Sequence, residues 1–165
     1  EKFKSQGFVN KIGVSVYNSE QINAILSRFN IDLIQIPFNI FDQQLLLDGW
    51  LEKIKNNNIE IHSRSSFLQG LLLMQPDLIP QYFLPIKKNI ELLEELSREL
   101  SKNKLDLALG YVMSIPQIDQ IIVGVNNLCQ LKEMIDVKRL NLDPLDLVKY
   151  SINNPLFTNP SKWQL

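Results

Sequence analysis

Cysteine and histidine are almost absent from this sequence. The 165 residues contain one cysteine, Cys129, and one histidine, His62. A single cysteine excludes an internal disulfide, and no cluster of cysteine, histidine and acidic residues has the spacing of a metal site. The sequence therefore predicts a protein of a reducing, cytoplasmic setting without a metal centre.

An excess of charge and long hydrophobic runs are also missing. The formal net charge is -1, without basic patches, which argues against binding to nucleic acid or to an anionic membrane. Apolar runs such as Leu71 to Met74 fall far short of the roughly 20 residues that cross a bilayer. There is no signal-peptide pattern, and a chain that begins at Glu1 instead of methionine is expected to be a fragment or a trimmed product.

The composition is that of one globular domain over residues 1–165, with 45% hydrophobic and 21% charged residues. Strands are expected at residues 9–15, 31–37, 59–61 and 120–123. Helices are expected at residues 19–29, 42–55, 86–102, 105–114 and 128–136, and a last one after Asp143 and Pro144. This alternation predicts a parallel α/β sheet with right-handed crossovers. Four strands are too few for a closed barrel, which typically needs eight and about 250 residues.

Helical spacing predicts two buried stripes, which consist of Ile22, Ile25, Leu26 and Phe29 in one helix and Leu128, Leu131 and Ile135 in another. The proline-containing region 70–85 is expected to be a structured loop. The tail, residues 153–165, is expected to be irregular.

Polar residues follow every predicted strand. Ser15, Gln35 and Asn39 end the first two strands, serine, glutamine and glycine fill residues 65–70 after the third, and Asn126 follows the fourth. Because the carboxyl ends of parallel strands share one edge of a sheet, a ligand site is expected there. Loop amides and serine hydroxyls of residues 65–70 can bind a phosphate, and Gly70 allows close approach of the backbone.

Four blocks of sequence resemble the aldo-keto reductases in order and spacing. They are KIGVSVY at residues 11–17, IQIPFN at 34–39, RSSFLQGLL at 64–72 and IVGVNNLCQLKE at 122–133. The resemblance extends to about residue 137. It implies the C-terminal half of a (β/α)8 TIM barrel, strands five to eight, from a carbonyl reductase that uses NADP(H), with NAD(H) as the alternative.

The resemblance also implies a role for each block. Ser15 and Gln35 match the family residues that hold the nicotinamide carboxamide, whereas Val16 replaces the usual asparagine and Arg64 the usual stacking aromatic. The residues that match the pyrophosphate loop are Ser65, Phe67, Gln69 and Gly70. Gly124, Asn126, Gln130 and Glu133 match the adenosine end. The family's common lysine and arginine for the 2'-phosphate are here Gly124 and Gln130, and its adenine-binding asparagine is Met134.

The family's catalytic Asp, Tyr, Lys and His lie on strands two to four of the barrel, outside this sequence. The chain is therefore predicted to be an inactive, cofactor-binding half whose small carbonyl substrate belongs to the full-length protein. A non-catalytic half-barrel that binds a nucleotide or a protein partner is the alternative. A doubly wound dinucleotide-binding domain is a third reading, but it would require a glycine-rich fingerprint after the first strand.

Four reactive side chains invite a catalytic reading. His62 lies within a strand, Tyr17 follows one, Tyr111 belongs to an apolar helix and Cys129 to the start of another. Packing or hydrogen bonding accounts for each of them without a catalytic role, and Tyr17 can border the cofactor.

A half-barrel would leave residues 11–15 and 120–123 as unpaired edge strands. It would also bare the barrel-facing side chains of all four strands, which are expected to be apolar. The chain is therefore expected to associate with itself or with its missing half.

Overall fold

A computed structural model describes residues 2–164, which form one parallel sheet with helices. The strands are β1 (Gly13–Ser15), β2 (Leu33–Pro37), β3 (Glu60–Arg64) and β4 (Gln120–Ile121), in the order β1-β2-β3-β4. All three pairings are parallel. The predicted α/β architecture is confirmed, and β1 and β4 are the two edges.

Eight α-helices connect and follow the strands in the described part of the chain. They are α1 (Lys2–Ser5), α2 (Ser19–Leu26), α3 (Gln44–Leu47), α4 (Trp50–Asn56), α5 (Lys87–Glu99), α6 (Lys104–Met113), α7 (Leu128–Asp136) and α8 (Pro155–Thr158). Asparagine side chains cap four of these helices, since Asn18, Asn103, Asn127 and Asn154 accept hydrogen bonds from N–H groups of the first turn. The predicted helix 42–55 is two helices, because Gly49 adopts a left-handed φ of 72° between α3 and α4.

Short 3₁₀ turns fill the segments that were expected to be loops or irregular, and one replaces the last helix predicted after Asp143 and Pro144. They are Leu68–Leu73, Pro76–Leu78, Gln81–Ile86, Pro144–Tyr150 and Pro160–Lys162. The segment after Pro144 is therefore a 3₁₀ helix. The tail is more ordered than predicted: it contains α8, and the Trp163 ring packs edge-on against Phe83 with 4.8 Å between centroids. Glu1 and Leu165, at the ends of the predicted domain, lie outside the described residues.

The two faces of the sheet differ in chemistry. Ile34, Ile36 and Ile61 share one face and are fully buried against the helices. The opposite face carries the register row Ser15, Gln35, His62 and Gln120. Glu60, on this same face, pairs with Lys11 and lies 2.9 Å from His62 Nε2. The predicted apolar inner face is therefore wrong, because its central row is polar.

Both predicted buried stripes are only partly right. In α2, Ile22 is buried, but the helix ends at Leu26 and Phe29 is 59% exposed beyond it. In α7, Leu128 and Ile135 are exposed by 64% and 70%, so the prediction that this face points inward is wrong. Helical spacing identifies an apolar face but does not supply a neighbouring element to cover it.

Candidate functional site

Two polar side chains meet where β1 ends beside the middle of β2. Ser15 and Gln35 are register partners, and the Ser15 hydroxyl lies 3.3 Å from Gln35 Oε1 as a hydrogen-bond donor. Both side chains project from the open face of the sheet. The Gln35 amide nitrogen makes no hydrogen bond within residues 2–164, so this pair offers a ligand both a donor and an acceptor.

Arg64 bridges the ends of β3 and β1. Its Nη2 lies 3.3 Å from the Val16 carbonyl oxygen and its Nη1 3.4 Å from Ser65 Oγ. The guanidinium carbon lies 4.3 Å from the Tyr17 ring centroid, within cation–π range. No carboxylate in the described chain comes within ion-pair distance of Arg64, so its charge is available to a ligand.

Residues 65–70, the 65–70 loop, have an unusual backbone. The φ angles of Ser65, Leu68, Gln69 and Gly70 are 63°, 47°, 54° and 88°, all in the left-handed region. Left-handed conformations at non-glycine residues cost free energy and are often found at ligand sites. The loop therefore has the geometry expected of a segment shaped for binding.

Asn39 fixes this loop from the end of β2. It is fully buried, and its Nδ2 donates to the Ser65 carbonyl at 3.1 Å. Its Oδ1 accepts from the N–H groups of Phe41 and Asp42 at 2.9 and 3.1 Å. Within the described chain the buried Ser66 hydroxyl has no hydrogen-bond partner. Sequence reasoning marked Asn39 only as a polar strand end and did not single out Ser66.

A groove of about 520 Å³ runs between the 65–70 loop and α7, and we call it the loop–helix groove. Eight of the predicted site residues line it: Ser65, Phe67, Gln69, Gly70, Gly124, Asn126, Gln130 and Glu133. The other three lie on the strands: Ser15 ends β1, Gln35 is in the middle of β2, and Arg64 ends β3, where it contacts Ser65. The volume falls in the range of sites for small molecules, about 300–1,000 Å³.

Local hydrogen bonds shape the α7 side of this groove. Gln130 Oε1 accepts from the Asn126 N–H at 2.8 Å, and the Gln130 N–H donates to Asn127 Oδ1 at 3.0 Å. Sequence reasoning missed Leu73, Leu105, Ile122 and Val123, which form the apolar floor. They come from three separate segments, and only folding brings them together.

Asp42 is a titratable group that sequence reasoning missed. Burial raises the pKa of its carboxyl to about 7, although the charge of Arg64 and a hydrogen bond from the Gln44 N–H act in the opposite direction. It lines a second cleft, of about 410 Å³, with Tyr17 and Asn154. An aspartate near the start of a helix looks like an exposed cap in the sequence, so no local signal marks its burial.

The reactive side chains outside the groove have structural surroundings. His62 is hydrogen-bonded to Glu60, and Cys129 is exposed. Tyr111 is fully buried and stacks on Phe38 at 5.8 Å, and burial raises the pKa of its hydroxyl. Within residues 2–164 no three cysteine, histidine or acidic side chains are grouped to hold a metal ion. No helix in this range is long and apolar enough to cross a bilayer.

Comparison with known proteins identifies the family. Residues 1–150 match the model of the Aldo/keto reductase family. The chain is 25% identical over 148 residues to the uncharacterized oxidoreductase YqkF of Bacillus subtilis, a match that covers 82% of the chain and 46% of YqkF.

Solved structures share the fold. The apo form of aldo-keto reductase AKR11C1 from Bacillus halodurans superposes with a TM-score of 0.74 at 19% identity, over 98% of this chain and 57% of that one. Glycerol dehydrogenase AKR11B4 from Gluconobacter oxydans superposes with a TM-score of 0.70 at 20% identity, over 93% of this chain and 53% of that one. The chain thus spans about half the length of these relatives, and its parallel sheet corresponds to the C-terminal half of their TIM barrel. By its family match over most of its length, this chain belongs to the aldo/keto reductase family.

Proposed function

We propose that the chain is the cofactor-binding half of an aldo/keto reductase that takes a nicotinamide dinucleotide, NADP(H) or NAD(H). The observation that carries the proposal is the loop–helix groove, which brings eight separately predicted residues into one lining. The Ser15 and Gln35 pair continues this surface along the same edge of the sheet. An extended dinucleotide suits such an edge, because ligands of parallel sheets bind outside the carboxyl ends of the strands.

The polar groups divide into three regions along this edge. Ser15 and Gln35 offer a donor and an acceptor for the carboxamide, and Arg64 supplies a planar surface for the nicotinamide ring. Amide groups and hydroxyls of the 65–70 loop face the pyrophosphate. Gln130 and Glu133 then border the adenosine.

The reaction proposed for the full-length protein is reduction of a small carbonyl compound. The reduced dinucleotide supplies a hydride to the carbonyl carbon, and a separate acid must protonate the oxygen. Among residues 2–164, Tyr111 is buried in the core and Tyr17 lies under Arg64, so neither is assigned as that acid. We therefore assign proton donation to the other half of the barrel. This chain alone is proposed to be inactive and cytoplasmic, in keeping with its single cysteine.

A negative charge in the 65–70 loop tests the proposal. Ser65→Asp places a carboxylate where the pyrophosphate is expected, so NADPH and NADH should bind more weakly by more than about 1 kcal/mol. Isothermal titration of the 165-residue chain measures this. The matched control is Ser101→Asp, because Ser101 is an exposed serine that is also left-handed (φ 51°) but does not line the groove. Equal affinity in the wild-type chain and the Ser65→Asp variant would place the phosphates elsewhere.

The second candidate function, a half-barrel that binds a protein partner, is favoured by apolar side chains near both sheet edges. Phe8 and Val9 are exposed just before β1, and Ile122 and Val125 just after β4. The two candidates are compatible, since a cofactor-binding half also needs a partner for catalysis.

A further inference from the structure

Apolar faces of two helices remain uncovered in the described chain. In α7 no residue is buried, and Leu128, Leu131 and Ile135 are exposed by 64%, 39% and 70%. None of these three lines the loop–helix groove, so their face of α7 is separate from the proposed cofactor site. In α2, Ile25 is half-buried and is not among the side chains that pack on the core. Each helix therefore presents apolar surface to which a further element can pack.

The two helices lie at opposite edges of the sheet. Helix α2 follows edge strand β1, and α7 follows edge strand β4. In a closed barrel of parallel strands the first and last strands are neighbours, and so are the helices that follow them. One chain does not close in this way, because such a barrel takes eight strands and the described chain has four. Closure therefore requires four further strands from another source.

The two helices also begin in the same way, which sets their relative height in a barrel. Asn18 and Asn127 each accept a hydrogen bond from the N–H of the glutamine three residues later. In both helices that glutamine accepts in turn from the N–H of the residue before the asparagine. If the helices lie parallel with their caps side by side, Ile25 of α2 is level with the turn of α7 that holds Leu131 and Ile135.

The segments around the two edges carry opposite charge. With the ion pairs inside the chain set aside, residues 2–28 hold two cations and one carboxylate, and residues 119–136 hold two carboxylates and one cation. Arg28 lies shortly after α2 and Asp136 ends α7. Both are exposed, and neither forms an ion pair within residues 2–164. The surfaces at the two edges are thus complementary in charge as well as apolar.

We propose that two copies of this chain close one eight-stranded parallel barrel around a two-fold axis. Strand β4 of each copy pairs with β1 of the other, and α7 of each packs against α2 of the other. This arrangement pairs both edges and covers both apolar faces at once, and it leaves no edge strand free to recruit further chains. The second copy takes the position that the other half of the barrel takes in the relatives, of which this chain spans about half.

A pair of opposite charges tests the contact between α2 and α7. Ile25→Glu or Ile135→Lys alone places an unpaired charge in this apolar contact, so the dissociation constant of the dimer should rise about tenfold or more. Both substitutions in one chain pair the two charges across the copies and should recover at least about threefold of that loss. Sedimentation over a range of concentrations measures the constant. Glu52→Lys, at an exposed position of α4 away from both edges, is the control and should leave it unchanged.

Cross-linking tests whether the assembly is closed. Cys129→Ser first removes the single cysteine, and Ile25→Cys and Ile135→Cys then place one cysteine at each edge. A short bismaleimide should join chains that carry both substitutions into one product of two chains. A mixture of the two single variants should also give this product. Each single variant alone should not, because the two-fold axis holds identical positions on opposite sides of the barrel.

Three results would overturn the barrel. A ladder of cross-linked products larger than two chains would show that copies add edge to edge without closing. A chain that stays at 19.1 kDa at every concentration would show that the edges need no second copy. A dimer that neither Ile25→Glu nor Ile135→Lys weakens would use another surface. None of these results bears on the proposed binding of a dinucleotide, because the loop–helix groove lies within one copy and is titrated separately.

Discussion

At the scale of single residues, Asp42 makes the stability of this chain depend on pH. Its carboxyl has an ordinary pKa of 3.8, and burial raises it to about 7 in the folded protein. Between these values the folded chain keeps a proton that the unfolded chain has released, so the free energy of unfolding should fall as pH rises, by at most about 1.4 kcal/mol per unit. Above about pH 7 Asp42 is ionised in both states, so the free energy of unfolding falls no further on its account. Asp42→Asn, which stays neutral and keeps an acceptor for Gln44, should gain stability over the wild-type chain at pH 8 but not at pH 4.

Urea unfolding at a series of pH values measures this difference, with exposed Asp146→Asn as the control. Ion-paired carboxyls affect stability in a different pH range. Lys4 lowers the pKa of Asp32, so the stabilisation that this ion pair contributes is lost only as pH falls through a value below 3.8. A constant difference in stability between the wild-type chain and Asp42→Asn from pH 4 to pH 8 would show that Asp42 titrates normally.

At the scale of elements, α6 is held against the segment that follows α7 by a contact that only glycine permits. A Cβ on Gly110 would lie 2.7 Å from the Lys138 carbonyl oxygen. Leu140 N–H donates to Ser114 Oγ at 3.0 Å, so the two segments cannot separate freely. Gly110→Ala should therefore lower the free energy of unfolding by about 1–3 kcal/mol, although alanine favours an exposed helix by about 1 kcal/mol.

Chemical denaturation tests whether Gly110→Ala lowers the free energy of unfolding. The control is Asn23→Ala at an exposed position of α2, which should be neutral or slightly stabilising. A higher free energy of unfolding in Gly110→Ala than in the wild-type chain would mean that α6 can move away from Lys138.

The order and type of the strands could be predicted because each element has a local signal. Alternating apolar residues, asparagine caps and prolines are read within a few positions of the chain, and the predicted order of strands is confirmed. The breaks at Gly49 and after Leu26 were missed, since a helical apolar pattern continues across both. The exposure of the apolar face of α7 was missed for a different reason. Whether such a face is buried depends on a neighbouring element, which no local sequence pattern indicates.

The candidate site divides in the same way. The polar strand ends and the 65–70 loop are contiguous in sequence, and the family resemblance added the residues of α7. By contrast, the bond from Asn39 to Ser65 and the burial of Asp42 join segments that are distant in the chain or depend on packing. Such contacts leave no periodic pattern in the sequence. Sequence reasoning could therefore name residues that line the groove, but not the contacts that hold its loop in place.

At the scale of the whole molecule, several exposed apolar side chains belong to the segments that flank the edge strands of the open sheet. Leu128, Leu131 and Ile135 share one face of α7, which follows edge strand β4. Unpaired edges and uncovered apolar faces favour association. We expect the purified chain to form dimers or larger species, with a mass above 19.1 kDa by light scattering. The double variant Leu128→Lys with Ile135→Lys should shift it towards monomer.

Leu78→Lys is the matched control for this shift, because Leu78 is 70% exposed in a 3₁₀ turn outside β1, β4 and α7. A wild-type chain that is monodisperse at 19.1 kDa and melts cooperatively would contradict the expectation that these edges need a partner.

Hydrogen–deuterium exchange with and without saturating NADH tests the central claim most directly, since it reports binding by the chain in any oligomeric state. The claim is that a nicotinamide dinucleotide lies across the carboxyl ends of the strands, in the loop–helix groove. NADH should slow exchange in peptides that cover residues 65–70 and 124–133, and leave the amino ends of the strands, near Lys11 and Asn58, unchanged. Protection confined to the amino ends, or no protection anywhere at saturating NADH, would contradict it.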